Sequence, residues 1–181
     1  MNPILTLDFA ILDAIQAHLR CAFLDTLMPA ISALGNAGIF WILLALTFLC
    51  IPKFRRAGLD MAVALIICLV VGNLTLKPLI ARIRPYDINT AVELLIKAPT
   101  DYSFPSGHTM SSFAAATTLL YRHKKAGILA MILAALIAFS RLYLYVHYPT
   151  DVLCGLVFGV LAGVLAHLCV SYFANKKAVS K

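Results

Sequence analysis

Charged residues are scarce in this sequence. Only 13% of the 181 residues are Asp, Glu, Lys or Arg, and 62% are hydrophobic. A soluble domain is about half apolar and about a quarter charged, so this composition excludes an ordinary soluble fold. A helix needs about 20 apolar residues to cross a bilayer, which leaves room for five or six spans and no separate soluble domain. The sequence therefore predicts an all-α fold, a polytopic transmembrane helical bundle.

Other features are missing as well. The first residues lack the basic segment of a secretory signal, and Asp8 and Asp13 interrupt the apolar run, so we expect no cleaved leader. The five cysteines include no Cys-x-x-Cys pair, which favours small buried hydrophobic residues over disulfides or zinc ligands. The net charge of +7 is dispersed between apolar segments, so we expect no nucleic-acid partner.

Residues 1–32 are predicted to form an amphipathic helical segment at the membrane interface. Apolar residues recur at helical spacing from Leu5 to Leu19, while Asp8, Asp13 and Gln16 fall elsewhere. A tilted first span is the alternative. The remainder is predicted to be a transmembrane bundle over 33–175 and a basic tail over 176–181, so that 1–181 form one integral-membrane domain.

Uncharged runs place the predicted spans within this bundle. They lie at about 33–52, 57–76, 106–121, 126–140 and 152–175, the second being the uncharged run 61–76 extended by residues 57–60, and Trp41 is an interface anchor in the first of them. Small residues let helices approach closely in lipid, so Gly155, Gly159 and Gly163 are expected to form a packing ridge. The long polar connection over 78–104 is expected to be functional.

Basic residues are unevenly distributed between the loops on the two sides. Segments 53–60, 122–125 and the C-terminal tail hold nine Lys or Arg and one acid, whereas the remaining segments hold six Lys or Arg and seven acids. Cytoplasmic loops carry the basic excess. We therefore expect a multi-pass protein of the cell inner or plasma membrane, with Arg141, His147 and the 78–105 loop on the extracytoplasmic face.

Three polar clusters stand at span ends on that face, at residues 77–86, 104–109 and 140–151. Charged groups near the hydrocarbon are expensive and mark functional sites. The topology alone brings the three clusters to one level. Together they supply cations, imidazoles and a carboxylate, namely Lys77, Arg84, Arg141, His108, His147 and Asp151.

These groups suit a multiply charged oxyanion such as a phosphate ester. Arginine matches phosphate oxygens, and the turn containing Ser106 and Gly107 opens a helix whose free N–H groups bind anions. His147 and Asp151 are four residues apart and share a helical face, so the carboxylate can fix the imidazole tautomer for attack. His108 is left to protonate the leaving oxygen. Zinc is the weaker alternative, because nearby cations would repel it.

Each residue has a structural explanation when it is taken singly. Lys77 can extend toward water at a helix end, Arg82 or Arg84 can face lipid headgroups, and His108 can be a satisfied polar group between helices. Their joint occurrence favours the functional interpretation. An anion channel is the non-enzymatic alternative, but it gives no reason for the spacing of His147 and Asp151.

The three clusters resemble the signature of the type-2 phosphatidic acid phosphatase superfamily, which is Lys-x6-Arg-Pro, Pro-Ser-Gly-His and Ser-Arg-x5-His-x3-Asp. The sequence meets this pattern at Lys77, Arg84 and Pro85, at residues 105–108, and at Ser140, Arg141, His147 and Asp151. The resemblance covers about residues 58–165 and implies a membrane lipid phosphatase of usually six spans.

The resemblance also implies a phosphohistidine mechanism without metal or cofactor. His147 would be the nucleophile, Asp151 its orienting partner and His108 the general acid. The phosphoryl oxygens would be held by Lys77, Arg84, Ser106, Gly107 and Arg141. The expected partners are the bilayer and a lipid phosphate, most naturally undecaprenyl pyrophosphate converted to undecaprenyl phosphate. Phosphatidic acid or phosphatidylglycerophosphate hydrolysis, or phosphoryl transfer to another lipid, are the alternatives, and the oligomeric state is left open.

Overall fold

Nine α-helices follow one another along the described part of the chain, residues 3–179 with side chains to residue 176. The structure is a computed structural model. The helices are α1 Pro3–Leu19, α2 Ala22–Ala33, α3 Ile39–Cys50, α4 Arg55–Ile67, α5 Lys77–Ile80, α6 Pro85–Ile88, α7 Gly107–Arg122, α8 Lys124–Tyr143 and α9 Pro149–Val179. A π-helical segment, Cys68–Leu76, joins α4 to α5. The described residues contain no strand, which confirms the all-α prediction, and Lys181 of the predicted basic tail lies outside them.

Three helical stretches among the described residues are long and apolar enough to cross a membrane, and these are Arg55–Ile88, Lys124–Tyr143 and Pro149–Lys176. A fourth is possible if α2 and the Asn36–Cys50 stretch, bent by 40°, count as one broken span. Helix α7 has 16 residues and is about 24 Å long, less than the hydrocarbon thickness of about 30 Å. The multi-pass architecture is confirmed, whereas five to six spans are not.

Helix α7 lies at the centre of the bundle and packs against α4, α8 and α9. The predicted glycine ridge of α9 makes one of these contacts. A Cβ added at Gly155 would lie 2.8 Å from the carbonyl oxygen of Ser106, and one at Gly163 would lie 2.8 Å from that of Ala114. The two backbones therefore approach as closely as the sequence predicted, and this fixes the start of α7 beside the start of α9.

A buried ion cluster ties α4, α7 and α9 together at the opposite end of the bundle. Arg122 donates two hydrogen bonds to the fully buried Asp60, at 2.7 and 2.9 Å, and a third to Ser171 at 3.1 Å. His167 lies 2.8 Å from the same carboxylate. Breaking a pair of this kind leaves a charge without a partner inside the bundle, so the cluster holds these three helices in register.

Two interface predictions differ from the structure. Trp41 was expected at the membrane surface, but it is buried, and its indole N–H donates to Ser112 of α7 at 2.9 Å. Helix α1 exists, but its interfacial role is not confirmed, because Asp8 lies on the buried side with Leu12 and Ile15. Helix α1 packs on α8 and α9, where Asp8 finds hydrogen-bond donors.

The cysteines were expected to be buried. All five are free thiols, and only Cys68 is buried, while Cys21, Cys50 and Cys169 are exposed on the surface of the bundle. In an apolar bundle the outer surface of a span contacts lipid, where a small hydrophobic residue is tolerated as well as in a core.

Candidate active site

The three polar clusters meet around one cavity of about 460 Å³. Six of the eight predicted site residues line it, namely Lys77, Arg84, Gly107, His108, Arg141 and His147. Ser106 and Asp151 are fully buried beside it. The remaining wall comes from the end of α2 and from residues 96–101 of the long loop between α6 and α7. The site therefore draws on all three motifs, on the long connection that was expected to be functional, and on the end of α2, which the sequence did not single out.

His147 lies in the short segment 144–148 between α8 and α9 and is 1% exposed. Helix α9 begins at Pro149, so Asp151 is in its first turn, and the carboxylate Oδ2 lies 3.5 Å from the Nδ1 of His147. The other ring nitrogen, Nε2, lies 3.3 Å from a guanidinium nitrogen of Arg84. Arginine can only donate, so this contact places the lone pair on Nε2 and the proton on Nδ1, facing the carboxylate.

The Asp151 carboxylate is itself held in place. Its Oδ2 accepts hydrogen bonds from the hydroxyl of Ser103 at 2.5 Å and from the backbone N–H of Tyr148 at 3.0 Å. Ser103 was not among the predicted site residues. Its position at the end of the long loop brings it under the imidazole, so the loop contributes to orienting the pair.

Burial lowers the pKa of His147 to about 3. The hydrogen bond to Asp151 opposes this effect, and the cations of Arg84 and Arg141 add to it. The imidazole is therefore neutral across the physiological pH range, with its lone pair on Nε2, where Arg84 contacts it.

Two of the predicted phosphate-binding cations share a carboxylate that the sequence did not single out. Asp101 forms ion pairs with Lys77 and with Arg84, the latter at 2.7 Å. Burial alone would raise the pKa of Asp101, but the two cations outweigh it and lower the value to about 2. The side chain is 52% exposed and lines the cavity. This carboxylate therefore binds the cations that a phosphate group would use.

Arg141 has unused hydrogen-bonding capacity. One guanidinium nitrogen donates to Ser32 of α2, while the buried Nε has no hydrogen-bond partner among the described residues. A buried N–H without a hydrogen-bond acceptor costs free energy unless a ligand supplies that acceptor. At the start of α7, a Cβ on Gly107 would lie 3.2 Å from Asn73 and 3.9 Å from the ammonium of Lys77, so the absence of a side chain keeps this corner open.

His108 is positioned by the break between α2 and α3. Its Nε2 lies 2.9 Å from the amide oxygen of Asn36, and a Cβ on Gly35 would lie 2.5 Å from its ring. The break continues through Ala37 at φ 49° and Gly38 at φ 66°. The sequence did not single out Gly35 or Asn36, although both determine where the imidazole can lie.

A fold of apolar, membrane-spanning helices with a cation-lined cavity and a neutral, carboxylate-oriented histidine defines a class of membrane protein whose site is suited to chemistry on a phosphate group. Comparison with known families agrees with this class. The model of the PAP2 superfamily matches residues 57–175, and the chain belongs to this superfamily. It is accordingly a hydrolase of phosphate esters.

Relatives cover most of the chain but differ in the substrates that they are named for. An undecaprenyl-diphosphatase of Sulfolobus acidocaldarius is 36% identical over 77% of this chain and 68% of its own length. A decaprenylphosphoryl-5-phosphoribose phosphatase of Mycobacterium tuberculosis is 32% identical over 87% of this chain and 88% of its own. The crystal structure of a phosphatidylglycerolphosphate phosphatase from Bacillus subtilis superposes with a TM-score of 0.75 at 28% identity, covering 97% of this chain and 88% of that one.

The contact between Gly35 and the ring of His108 gives a testable prediction. Substitution of Gly35 by Ala would place a methyl group 2.5 Å from the imidazole and force the ring to move. His108 is the predicted general acid, and a displacement of about 1 Å at a reacting group can cost about a hundredfold, so we expect kcat for phosphate-ester hydrolysis to fall by that order. The measurement is kcat and unfolding temperature of the purified protein in detergent.

The same substitution at Gly163 is the matched control, because that glycine is also closely packed but lies against α7 away from the cavity. We expect Gly163→Ala to lower the unfolding temperature and to leave kcat of the folded protein near the wild-type value. Equal kcat values for the two variants would refute the positioning of His108 by Gly35.

Proposed function

We propose that the protein is an integral-membrane lipid phosphatase that works through a phosphohistidine on His147, with undecaprenyl diphosphate as substrate and undecaprenyl phosphate as product. The observation that carries the lipid substrate is the continuity of two cavities. The polar cavity shares Lys77, Asp101, Gly107 and His108 with an apolar cavity of about 520 Å³. A molecule with a phosphate at one end and a hydrocarbon chain at the other fits this pair.

The apolar cavity lies between α3, α4 with its π-helical extension, and α7. Its aliphatic wall includes Ile42, Leu46, Leu65, Ile66 and Leu69. Several of these side chains are also exposed on the outer surface, Leu46 by 53% and Leu69 by 49%. A chain lying there would reach the phosphate site from the lipid side without passing through water, which supports a substrate presented by the bilayer.

In the first proposed step, Nε2 of His147 attacks phosphorus, and the bond from phosphorus to the leaving oxygen breaks. His108, in its protonated form, gives its proton to that oxygen. Burial and the nearby cations lower the pKa of His108 to about 2, and the bound phosphate anion would offset the cations and favour the protonated ring. The ring must also leave Asn36 and turn to the substrate. The phosphoryl oxygens would be bound by Lys77, Arg84 and Arg141 and by the start of α7 at Ser106 and Gly107. Substrate phosphate would replace the Asp101 carboxylate on Lys77 and Arg84.

In the second proposed step, water attacks the phosphohistidine and gives a proton to His108, while the phosphorus–nitrogen bond breaks and inorganic phosphate leaves. Asp151 stabilises the positive charge that the ring of His147 carries while it is phosphorylated. The reaction needs positioning and charge neutralisation, both of which the described residues supply, so no metal or cofactor enters the proposal.

A diphosphate substrate is supported by the excess of cations at the mouth of the polar cavity. Lys97, which belongs to no family motif, lines the cavity together with Lys77, Arg84 and Arg141. The basic segments at 53–56 and 122–125 support a cytoplasmic position for the opposite end, and hence an extracytoplasmic site in the inner or plasma membrane. The whole of 1–181 would then serve as one catalytic domain.

The substrate and the nucleophile are tested together by phosphate release. We expect detergent-solubilised protein with EDTA present to hydrolyse undecaprenyl diphosphate faster than phosphatidic acid or phosphatidylglycerophosphate. His147→Gln should lower kcat by at least about a thousandfold, the order seen when a catalytic nucleophile is removed.

His18→Gln is the matched control, since His18 is an exposed residue of α1, and it should keep the wild-type rate. Full activity of His147→Gln would disprove the nucleophile, and a clear preference for one of the other two lipids would disprove the diphosphate substrate.

The apolar cavity is tested by filling it. Leu46→Trp would put an indole where the hydrocarbon chain is proposed to lie. We expect kcat/KM for the polyprenyl diphosphate to fall by about tenfold, the order of effect that a change in an apolar pocket produces. Hydrolysis of a short, water-soluble phosphate ester should be unchanged. Leu161→Trp, on the outer face of α9, is the control, and equal effects on long and short substrates would reject this cavity as the chain-binding site.

A further inference from the structure

We propose that Asp8 and Arg82 are positioning residues for this reaction. In this proposal Asp8 fixes the position of Arg82, and Arg82 fixes the carboxylate of Asp151. The net charge of this triad determines how strongly the positive charge that forms on the ring of His147 is stabilised. The inference rests on the proposed role of His147 as nucleophile. It concerns Asp8, which lies outside the family motifs, and Arg82, which occupies a variable position within the first of them.

Arg82 bridges two buried carboxylates. One of its terminal nitrogens donates to Oδ1 of Asp151 at 2.5 Å, and the other donates to Oδ2 of Asp8 at 2.7 Å. Asp8 is 1% exposed and Asp151 is 0% exposed. Charge-assisted bonds of this length to buried carboxylates are strong and directional, so the partly exposed guanidinium fixes the two carboxylates relative to each other.

The bond from Arg82 completes the set of partners around Asp151. Ser103 and the N–H of Tyr148 occupy Oδ2, the oxygen that faces His147, and Arg82 occupies Oδ1. Without Arg82 the carboxylate could rotate about its side-chain bonds and present a different oxygen to the imidazole. Arg82 therefore acts on the orientation of Asp151, and through it on His147.

Arg82 is fixed in turn by its other neighbours. Its guanidinium lies 3.8 Å from the ring centroid of Tyr148, and it also donates to the hydroxyl of Thr150 at 2.7 Å. Asp8 accepts two further bonds from Thr150, from the backbone N–H at 3.0 Å and from the hydroxyl at 2.6 Å. Helix α1 is thus joined to the first turn of α9, immediately after the segment that carries His147.

The charges explain why two carboxylates are present. A cation beside Asp151 weakens the support that this carboxylate gives to a positive ring on His147, and a second anion beyond the cation offsets that effect. One guanidinium between two carboxylates leaves one net negative charge in the triad. Asp8 therefore lets Arg82 fix the geometry of Asp151 without cancelling its charge.

The triad acts against a cationic background. The other charged or titratable groups that line the cavity with His147 are Arg84, Arg141, Lys77, Lys97, Asp101 and His108. Neither Asp8 nor Arg82 lines the cavity. Substitutions in the triad can therefore change the reactivity of His147 without removing a contact to the substrate.

The test is the ionisation of His147, followed by NMR on protein labelled with ¹⁵N in its five histidines and held in detergent micelles. The His147 signal is assigned from its loss in His147→Gln. Because an adjacent charge shifts a pKa by about one to three, we expect Arg82→Gln to raise the pKa of His147 by that amount and bring its titration into the range of about pH 4 to 6. Asp8→Asn should leave the ring neutral down to the lowest pH at which the protein stays folded.

Two further variants separate charge from geometry. Asp8→Asn with Arg82→Gln restores one net negative charge, so the pKa of His147 should move back from the Arg82→Gln value toward that of the wild type. Arg82→Lys keeps the charge but loses the two-pronged geometry, so it should lower kcat without raising the pKa. Asp13→Asn is the control on the same helix, because Asp13 binds Tyr145 at 2.7 Å and not the triad, and it should leave the titration of His147 in place.

Turnover gives the second readout. Asp8→Asn and Arg82→Gln should each lower kcat by about tenfold to a hundredfold through displacement of Asp151, with KM changed far less. If the triad were only a structural contact, the single variants would unfold at lower temperature and His147 would titrate as in the wild type, and that result would overturn the proposal. Loss of activity in His147→Gln with unchanged titrations in the triad variants would reject the triad alone, whereas an active His147→Gln would reject the nucleophile.

Discussion

The arrangement of this bundle follows from one constraint, which is that a charge buried in an apolar helical protein must have a partner. The desolvation penalty is on the order of several kcal/mol for each ion, even after relaxation. For the buried carboxylates, two arginines provide the required partner. Arg82 pairs Asp151 and Asp8 at one end, and Arg122 pairs Asp60 at the other. These two clusters join helices that are far apart in sequence, and the glycine ridge of α9 holds α7 between them.

The same constraint prepares the cavity for an anion. The positive charges of Lys77, Arg84 and Arg141 lie around one cavity and repel one another. The described residues provide only part of the ion pairs and hydrogen bonds that these side chains can make. Asp101 binds two of them through a half-exposed side chain, and Arg141 has a buried N–H with no hydrogen-bond partner in the part of the chain that the structure describes. In the proposed mechanism a phosphate group is the common partner of all three cations, so the energetic cost of assembling like charges would become binding energy for the substrate. The neutral imidazole of His147 fits this environment, because the nearby cations and burial disfavour its protonation.

The part of the site that could be predicted from the sequence consists of residues in the three motifs. Lys77, Arg84, His108, Arg141 and His147 are brought to one cavity because each stands at a helix end on the same side, and helix ends follow from hydropathy. Their chemical roles stay predictions. The packing of the glycines of α9 was also predicted correctly, since it depends on local chain geometry.

The partners of those residues could not be predicted in the same way. Ser103, Asp101 and Asn36 are single polar residues whose contacts depend on the path of a loop or a helix break, for which no local spacing gives a signal. Asp8 was assigned to the polar face of α1, although its spacing to Leu12 and Ile15 matches the buried face. A charged residue does not fit the apolar pattern of a buried helix face, so its burial cannot be predicted until its partner is known. For Asp8 that partner is Arg82. Trp41 was misplaced for a related reason, because hydropathy cannot distinguish an interface anchor from a residue bonded inside the bundle.

The central claim is that His147 is phosphorylated and that His108 serves both the leaving group and the water. It is tested most directly in His108→Asn with p-nitrophenyl phosphate, whose leaving group needs no proton, so that the first step proceeds and the second is slowed. Mass spectrometry of the alkaline-quenched protein should find one phosphoryl group on the peptide that contains His147, and none when His147→Gln is added. Continued release of phosphate with no label on His147, or a label on another residue, would contradict the account.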